Sequence, residues 1–315
     1  MWRLLFVKET VIIILGRRIL SEGFFDRRLR GENSYDIISQ KVSIRQKKKN
    51  GREHMKKAVF FDIDGTLWDE KMQIPDSTKA AIRKLRENGH YAFICSGRSR
   101  SNIRSRQLLD IGFDGVIASC GTHIDFHKEK VFEVLLNEKQ VSHALETLKK
   151  HNMPAVLEGP ENIYVNPDDF LDDPYVIFLR EEFGDEVREI GEDCSKICIN
   201  KMSADIGEAD VHAFTKDLGE DFDVIIHERD NIVEINPSGY SKATGIQKVC
   251  EIFDIPVEAT YAFGDSANDI EMLQFVAHGV AMGNGTEDAK DAADYITTEI
   301  HADGIQNGLA YYGLI

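Results

Sequence analysis

The apolar run Ala58–Phe61 ends in two aspartates one residue apart, Asp62 and Asp64, and Gly65-Thr66 come at once after them. Four apolar residues with β-branched and aromatic members read as a short buried strand. Carboxylates are costly at a core edge, so a pair held there is expected to be working on something. Open parallel sheets build their sites at the carboxyl ends of their strands, which is where this pair stands. Gly65 permits the chain to turn out of the strand here. A calcium loop does not fit: Gly65 comes too early for one, and Gln73 occupies the place of its bidentate Glu. Two acidic turn residues without a task are the bland alternative.

The chain beyond Gly65 supports a parallel sheet. Asp76 is expected to cap a helix whose apolar positions Ala80, Ala81, Ile82 and Leu85 recur at helical spacing before Gly89. "YAFIC" reads as a second strand, 101–109 as a second helix and "GVIAS" as a third strand. Strands alternating with helices imply right-handed crossovers. The pattern then changes to extended "THIDF" and "KVFEVLL", a helix over 138–150, "PAVLEG", "NIYVN" and "KICINK", a helix around 208–218, then "FDVIIHE" and "NIVEIN". Alternation resumes with a helix over 242–253, the strand "TYAFGD", a helix over 269–276, "GVAMG" and a helix from Glu287. The expected architecture is an α/β core of 55–125 and 232–315, interrupted by an α+β insert at 126–231.

Residues 1–54 differ from this body. They hold 13 Lys/Arg against 6 Asp/Glu, whereas the rest of the 315-residue chain holds 25 against 48. So acidic a body argues against a nucleic-acid partner and suits a protein that binds cations. Val11 to Leu15, the clean apolar part of the leading segment, is far shorter than the ~20 residues of a spanning helix, and "GRRIL" does not resemble a signal-peptide cleavage site. The polar, basic stretch beyond it is expected to be loosely attached. Gly51-Arg52-Glu53 can be encoded by a purine-rich string like a ribosome-binding site, just ahead of Met55. Residues 1–54 are therefore expected to be translated upstream sequence with the true start at Met55; a basic membrane-surface arm is the rival. The cysteines Cys95, Cys120, Cys194, Cys198 and Cys250 lack metal-type spacing and fit reduced thiols in a cytoplasmic protein with no membrane contact.

Three further groups carry chemistry. Ser96-Gly97-Arg98 come directly after the second strand, and a hydroxyl beside free N–H groups on a glycine turn suits phosphate. Lys242 stands just inside a helix after "NPSGYS" and combines a cation with a helix N-terminus. Asp265, Asn268 and Asp269 end another apolar strand, although Asn268 and Asp269 also suit a simple helix cap. Two acidic clusters from opposite ends of the chain suggest one oxygen-rich site for a hard dication such as Mg2+. His123 and His127 are four apart but lack the Glu of a zinc-protease helix.

In order, "DIDGTL", "SGR", a lysine opening a helix, and "GDSAND" resemble the haloacid-dehalogenase-type phosphohydrolases, and the body from Met55 onward looks like their Cof-type branch with a large inserted α/β cap. The resemblance implies an enzyme, a Mg2+-dependent phosphatase acting on a small phosphorylated metabolite. It implies Asp62 as nucleophile and Asp64 as general acid and base, with Thr66, Ser96, Gly97, Lys242 and Asn268 around the phosphate. The metal would be held by Asp62, the carbonyl of Asp64, and Asp265, with Asp269 in support. Two positions depart from the family pattern: Ser266, where glycine is commoner, and Cys120 in "SCGTHI" at the cap hinge. A sugar phosphomutase of the same superfamily and a non-catalytic phosphometabolite-binding regulator are the alternatives. Sugar phosphates, flavin mononucleotide and pyridoxal phosphate all remain open as substrates, with Glu158, Tyr164 and Asp172 as candidate mouth residues.

Overall fold

Ala58–Phe61 is buried along its whole length and lies inside an eight-stranded sheet. Across that sheet the strands run Tyr295–Ile296, His278–Ala281, Thr260–Gly264, Ala58–Phe61, Tyr91–Cys95, Gly115–Ala118, His123–Phe126 and Glu129–Glu133. The strands from Tyr295–Ile296 through Gly115–Ala118 are parallel, and the last two pair antiparallel at the edge. Parallel strands are covered on both faces, and their side chains divide accordingly. Val59 and Phe61 pack with Ile82, Leu85, Ile305 and Leu309 on one side; Ala58 and Phe60 pack with Ile246 and Val249 on the other. Phe61 stacks on Phe263 and Phe60 on Phe93, each with centroids 5.2 Å apart, so neighbouring strands are matched ring to ring.

This computed structural model describes residues 3–7, 10–15, 18–20, 56–170, 174–191, 193–227 and 231–315. The chain divides into two units, Met1–His54 and Met55–Ile315. In the first, Arg3–Val7, Thr10–Leu15 and Arg18–Leu20 form an antiparallel three-stranded sheet. The expectation of a loose basic stretch after it lies outside the described residues. Among the described residues no helix is long and apolar enough to cross a membrane.

A second sheet of the larger unit has six strands, in the order Val187–Glu189, Ile163–Val165, Ala155–Glu158, Lys201–Asp205, Ile232–Pro237 and Phe222–His227. Helices Glu138–Lys150 and Val211–Leu218 contribute Val141, Leu148 and Phe214 to the core on one face, against Leu157, Met202 and Ile235. Strand alternation sends Glu158, Lys201, Ser203 and Glu234 to the opposite face. The pattern of residues sets the limits of the insert at 126 and 231; by strand pairing, Glu129–Glu133 belongs to the first sheet and Ile232–Pro237 to the second.

Several local expectations shift. Asp76 is the first helical residue of Asp76–Glu87, after an N-cap at Pro75, and its carboxylate pairs with Lys79 at 3.1 Å. The helix over 101–109 reduces to a 3-10 turn Arg100–Asn102 and a single turn Arg106–Leu109. Tertiary bonds hold that stretch instead: Arg100 pairs with Asp125, and the Ser101 hydroxyl donates to the Gly159 carbonyl at 2.8 Å. "KICINK" does not form a strand; a turn Cys194–Lys196 precedes Lys201–Asp205. The helix expected from 208 begins at Val211, where Asp210 accepts from the Ala213 N–H. The helix expected over 269–276 is Ile270–Phe275, after a 3-10 turn Ala267–Asp269. Helices Pro174–Phe183 and Gly304–Tyr311 escape the periodicity reading.

Candidate active site

Asp62 comes directly after the buried strand and is 4% exposed, with its Oδ1 accepting from Lys242 Nζ at 2.8 Å. The same ammonium donates to Asp269 Oδ1 at 2.7 Å and Asn268 Oδ1 at 2.9 Å, so all three of its N–H groups are engaged. Lys242 opens its helix behind the capping box of Ser241 and Thr244, which fixes where the stem enters the site. Burial opposes the charge on Lys242, yet Asp269 and Asp62 hold its pKa well above the ordinary value. Burial and the charge of Asp269 push Asp62 upward in turn.

The second acidic strand end meets the first. Carboxylate oxygens of Asp62, Asp265 and Asp269 lie within 4.8 Å of one another. The Thr66 hydroxyl donates to Asp265 Oδ1 at 2.7 Å, so it braces a carboxylate across the site. Burial and Asp269 raise Asp265 to about 7. Gly65 makes this convergence possible: its φ is +80°, and a β-carbon there would stand 2.2 Å from Asp265 Oδ2. Asp269 has both oxygens committed, Oδ1 to Lys242 and Oδ2 to the backbone N–H groups of Asp265 and Ser266 at 2.9 and 3.0 Å. The helix-cap reading of Asp269 and its place beside Lys242 therefore hold together. Ser266, one of the two departures from the family pattern, joins this capping arrangement.

Asp64 lines the same cavity as Asp62 but is held by different partners. Its carboxylate takes a bidentate pair from Arg98, both contacts at 2.7 Å, and a bond from Trp68 Nε1 at 2.9 Å. The guanidinium also sits over the Trp68 ring, 5.1 Å from its centroid. Burial works to raise Asp64, but the Arg98 bonds and charge hold it below the usual carboxylate range. Ser96 is 1% exposed and its Oγ accepts from the Arg98 N–H at 3.2 Å. Gly97 is closely packed: a β-carbon would stand 3.1 Å from Glu234 Oε2 and 3.2 Å from Asn268 Nδ2, so those side chains would have to give way slightly.

Asp62, Asp64, Ser96, Gly97, Asp265 and Asn268 line one cavity of about 1100 Å3. Thr66, Lys242 and Asp269 stand behind that wall and reach it through other side chains. Glu158 lines the cavity, as expected for a mouth residue. Tyr164 does not; it is 4% exposed in the core of the second sheet. Asp172 lies outside the described residues. His123 is held between Asp125 and Glu133, with ring-nitrogen contacts of 2.9 and 3.1 Å. All five cysteines are free thiols.

Of the cavity roof, sequence reasoning names Glu158 and misses Lys201 and Glu234. Lys201 is 3% exposed and lies 3.3 Å from Glu234 Oε2 and 3.6 Å from Glu158 Oε1. Cys120, in a left-handed backbone conformation at φ 48°, donates its thiol hydrogen to Glu234 Oε1 at 2.6 Å. Burial and Glu234 push that thiol far up, which keeps it a neutral donor. Burial would raise Glu234 as well, but Lys201, His227 and Cys120 hold it well below its usual value. The one signal available is alternation: Lys201 and Ser203 flank the apolar Met202, which puts both on one face.

Comparison with known proteins gives concordant results. The family model described as haloacid dehalogenase-like hydrolase matches residues 59–309. The 5-amino-6-(5-phospho-D-ribitylamino)uracil phosphatase YitU of Bacillus subtilis is 30% identical, over 81% of this chain and 96% of its own length. A phosphoglycolate phosphatase of Methanosarcina acetivorans is 35% identical, over 81% of this chain and 96% of its own. The structure of BT4131, titled a HAD subclass IIB sugar phosphatase, superposes with a TM-score of 0.71 at 29% identity, covering 82% of this chain and all of that one.

Proposed function

Because the chain belongs to the haloacid dehalogenase-like hydrolases and is a phosphatase of that family, we propose that it hydrolyses a small phosphorylated metabolite through an aspartyl-phosphate on Asp62. The observation that carries this reading is the environment of Asp62. Its Oδ1 is fixed by a buried ammonium 2.8 Å away, and the residue lines the cavity. One oxygen is thereby held while the other attacks.

In the first half-reaction Asp62 Oδ2 attacks phosphorus, the bond to the leaving oxygen breaks, and Asp64 gives that oxygen its proton. In the second, water attacks phosphorus, Asp64 takes the water proton, and the bond to Asp62 breaks to release inorganic phosphate. Arg98 occupies both oxygens of Asp64 at 2.7 Å. The pair must open at one oxygen before Asp64 can carry a proton there. Ser96, the N–H groups of its loop and the Asn268 amide are the donors available to phosphoryl oxygens. Lys242 and Thr66 act at one remove, by holding Asp62 and Asp265.

The site suits a hard dication. Three carboxylates converge against one ammonium, and oxygen is the donor such ions take. Asp269 is the carboxylate most engaged by hydrogen-bond donors, so Asp62, Asp265 and the Asp64 carbonyl would hold Mg2+. Bound there, it offsets repulsion between carboxylate and phosphate. Residues 134–237 serve as the cap, with Glu158, Lys201 and Glu234 over the phosphate loop. Sugar phosphates and phosphorylated cofactors are the substrate classes proposed, the first in line with the sugar phosphatase among the similar structures.

A phosphate-release screen over a metabolite panel tests the activity, and rapid-quench labelling tests the roles. Asp62→Asn should lose turnover by at least ~10³-fold and carry no label. Asp64→Asn should still be phosphorylated by an ester with a good leaving group and should accumulate label, because water attack lacks its base. Label on Asp62→Asn, or none on Asp64→Asn, overturns the assignment.

A further inference from the structure

Lys201 reaches out of the second sheet and makes its shortest contact with the backbone of the phosphate loop. Its Nζ donates to the Gly97 carbonyl at 3.1 Å. The strand that carries it sets it opposite Glu158, and Glu234 stands opposite Ser203 on the next strand. The two carboxylates, 3.6 and 3.3 Å from Nζ, take the directions left over by the carbonyl. They are tethered themselves: Glu158 Oε1 accepts from Ser203 Oγ at 2.8 Å, and Glu234 Oε1 from Asn236 Nδ2 at 3.0 Å. A buried ammonium so held is a rigid pin, whereas a solvated lysine would not fix anything.

The consequence runs through one peptide plane. The carbonyl of Gly97 and the N–H of Arg98 belong to the same planar unit, so fixing one fixes the other. That N–H donates to Ser96 Oγ at 3.2 Å. A hydroxyl whose oxygen already accepts from the loop has its own hydrogen left to donate, and Ser96 lines the cavity. We infer that Lys201 is a positioning residue, which orients the Gly97–Arg98 peptide and through it aims the Ser96 hydroxyl at the phosphoryl group. The bond joins the two sheets, so the loop is in its binding geometry only while the second sheet lies against it. The inference deepens the phosphatase reading and rests on Ser96 contacting phosphate.

The test is a double-mutant cycle on Lys201→Met and Ser96→Ala in saturating Mg2+. It reads p-nitrophenyl phosphate turnover and competitive inhibition by inorganic phosphate. Each single variant should lose about tenfold in phosphate affinity and in kcat/KM, the scale of one hydrogen bond to a charged group. The double variant should fall little below the weaker single one, because both act through one hydroxyl. Multiplying losses, or unchanged phosphate affinity in folded Lys201→Met, overturn the inference. Should Lys201→Met not fold, the cycle is run with Glu158→Gln and Glu234→Gln added, which removes the two stranded charges; the same two outcomes decide it. A wild-type protein that releases no phosphate from any ester sinks the phosphatase reading instead.

Discussion

The floor and the roof of the cavity each bury one lysine between two carboxylates: Lys242 between Asp62 and Asp269, Lys201 between Glu158 and Glu234. In the floor the contacts are 2.8 and 2.7 Å; in the roof they are 3.6 and 3.3 Å. The roof carboxylates are served by neutral donors, namely Ser203, Asn236 and the Cys120 thiol. The floor adds a third carboxylate, Asp265, which takes the Thr66 hydroxyl, while Asp269 takes the backbone N–H groups of Asp265 and Ser266. The same motif thus yields a site that is short of positive charge in one place and a self-satisfied strut in the other. The third carboxylate, more than the neutral hydrogen bonds, makes the difference.

The largest expected contrast is in metal dependence. A chelator should abolish turnover, Mg2+ should restore it, and Ca2+, larger and content with more ligands, should not. Full turnover in excess chelator would erase the charge deficit from the comparison. Next comes Lys242→Met, which strands Asp62 and Asp269. It should cost about 3–5 kcal/mol of stability, as breaking a buried pair does, and at least ~10²-fold in turnover. Chemical denaturation and initial rates measure the two losses; a variant as stable and active as wild type would make the floor no different from a surface pair. The smallest effect sharpens the contrast most. Asp265→Asn should raise the metal-free Tm, by about 2–4 °C for each kcal/mol of relieved repulsion, and should no longer be stabilised by added Mg2+. Glu158→Gln should keep the Mg2+ response of the wild type. Thermal melts with and without Mg2+ read both, and an unchanged Mg2+ response in Asp265→Asn would remove that residue from the metal site.

The same contrast explains what is legible in the sequence. Floor residues cluster within a few positions of strand ends, so "DIDGTL" and "GDSAND" announce themselves in a linear text. Roof residues are spread over three strands, at 158, 201 and 234. Only pairing register brings them together, and register is not legible from one strand. Secondary structure divides similarly. The start of the helix Glu138–Lys150 is legible because Asn137 and Gln140 form a capping box before a regular apolar stripe. The stretch 101–109 misleads because its contacts, Arg100 with Asp125 and Ser101 with Gly159, are tertiary. Arg98 reads as part of a phosphate turn; its bond to Asp64 joins segments 34 residues apart, and spacing carries no trace of it.

One close approach limits how this protein can change. Gly121 has φ +90°, and a β-carbon on it would stand 2.3 Å from the Ser241 carbonyl; one on Gly245 would stand 2.8 Å from Gly121 Cα. The turn between strands Gly115–Ala118 and His123–Phe126 and the helix that begins at Lys242 therefore touch backbone to backbone, with no side chain between them to absorb a shift. Substrate-reading surfaces usually drift by trading side chains of different size, and this joint has none to trade. Change elsewhere in the fold must leave this joint untouched, because a single methyl group there would pry at the helix whose first residue holds Asp62.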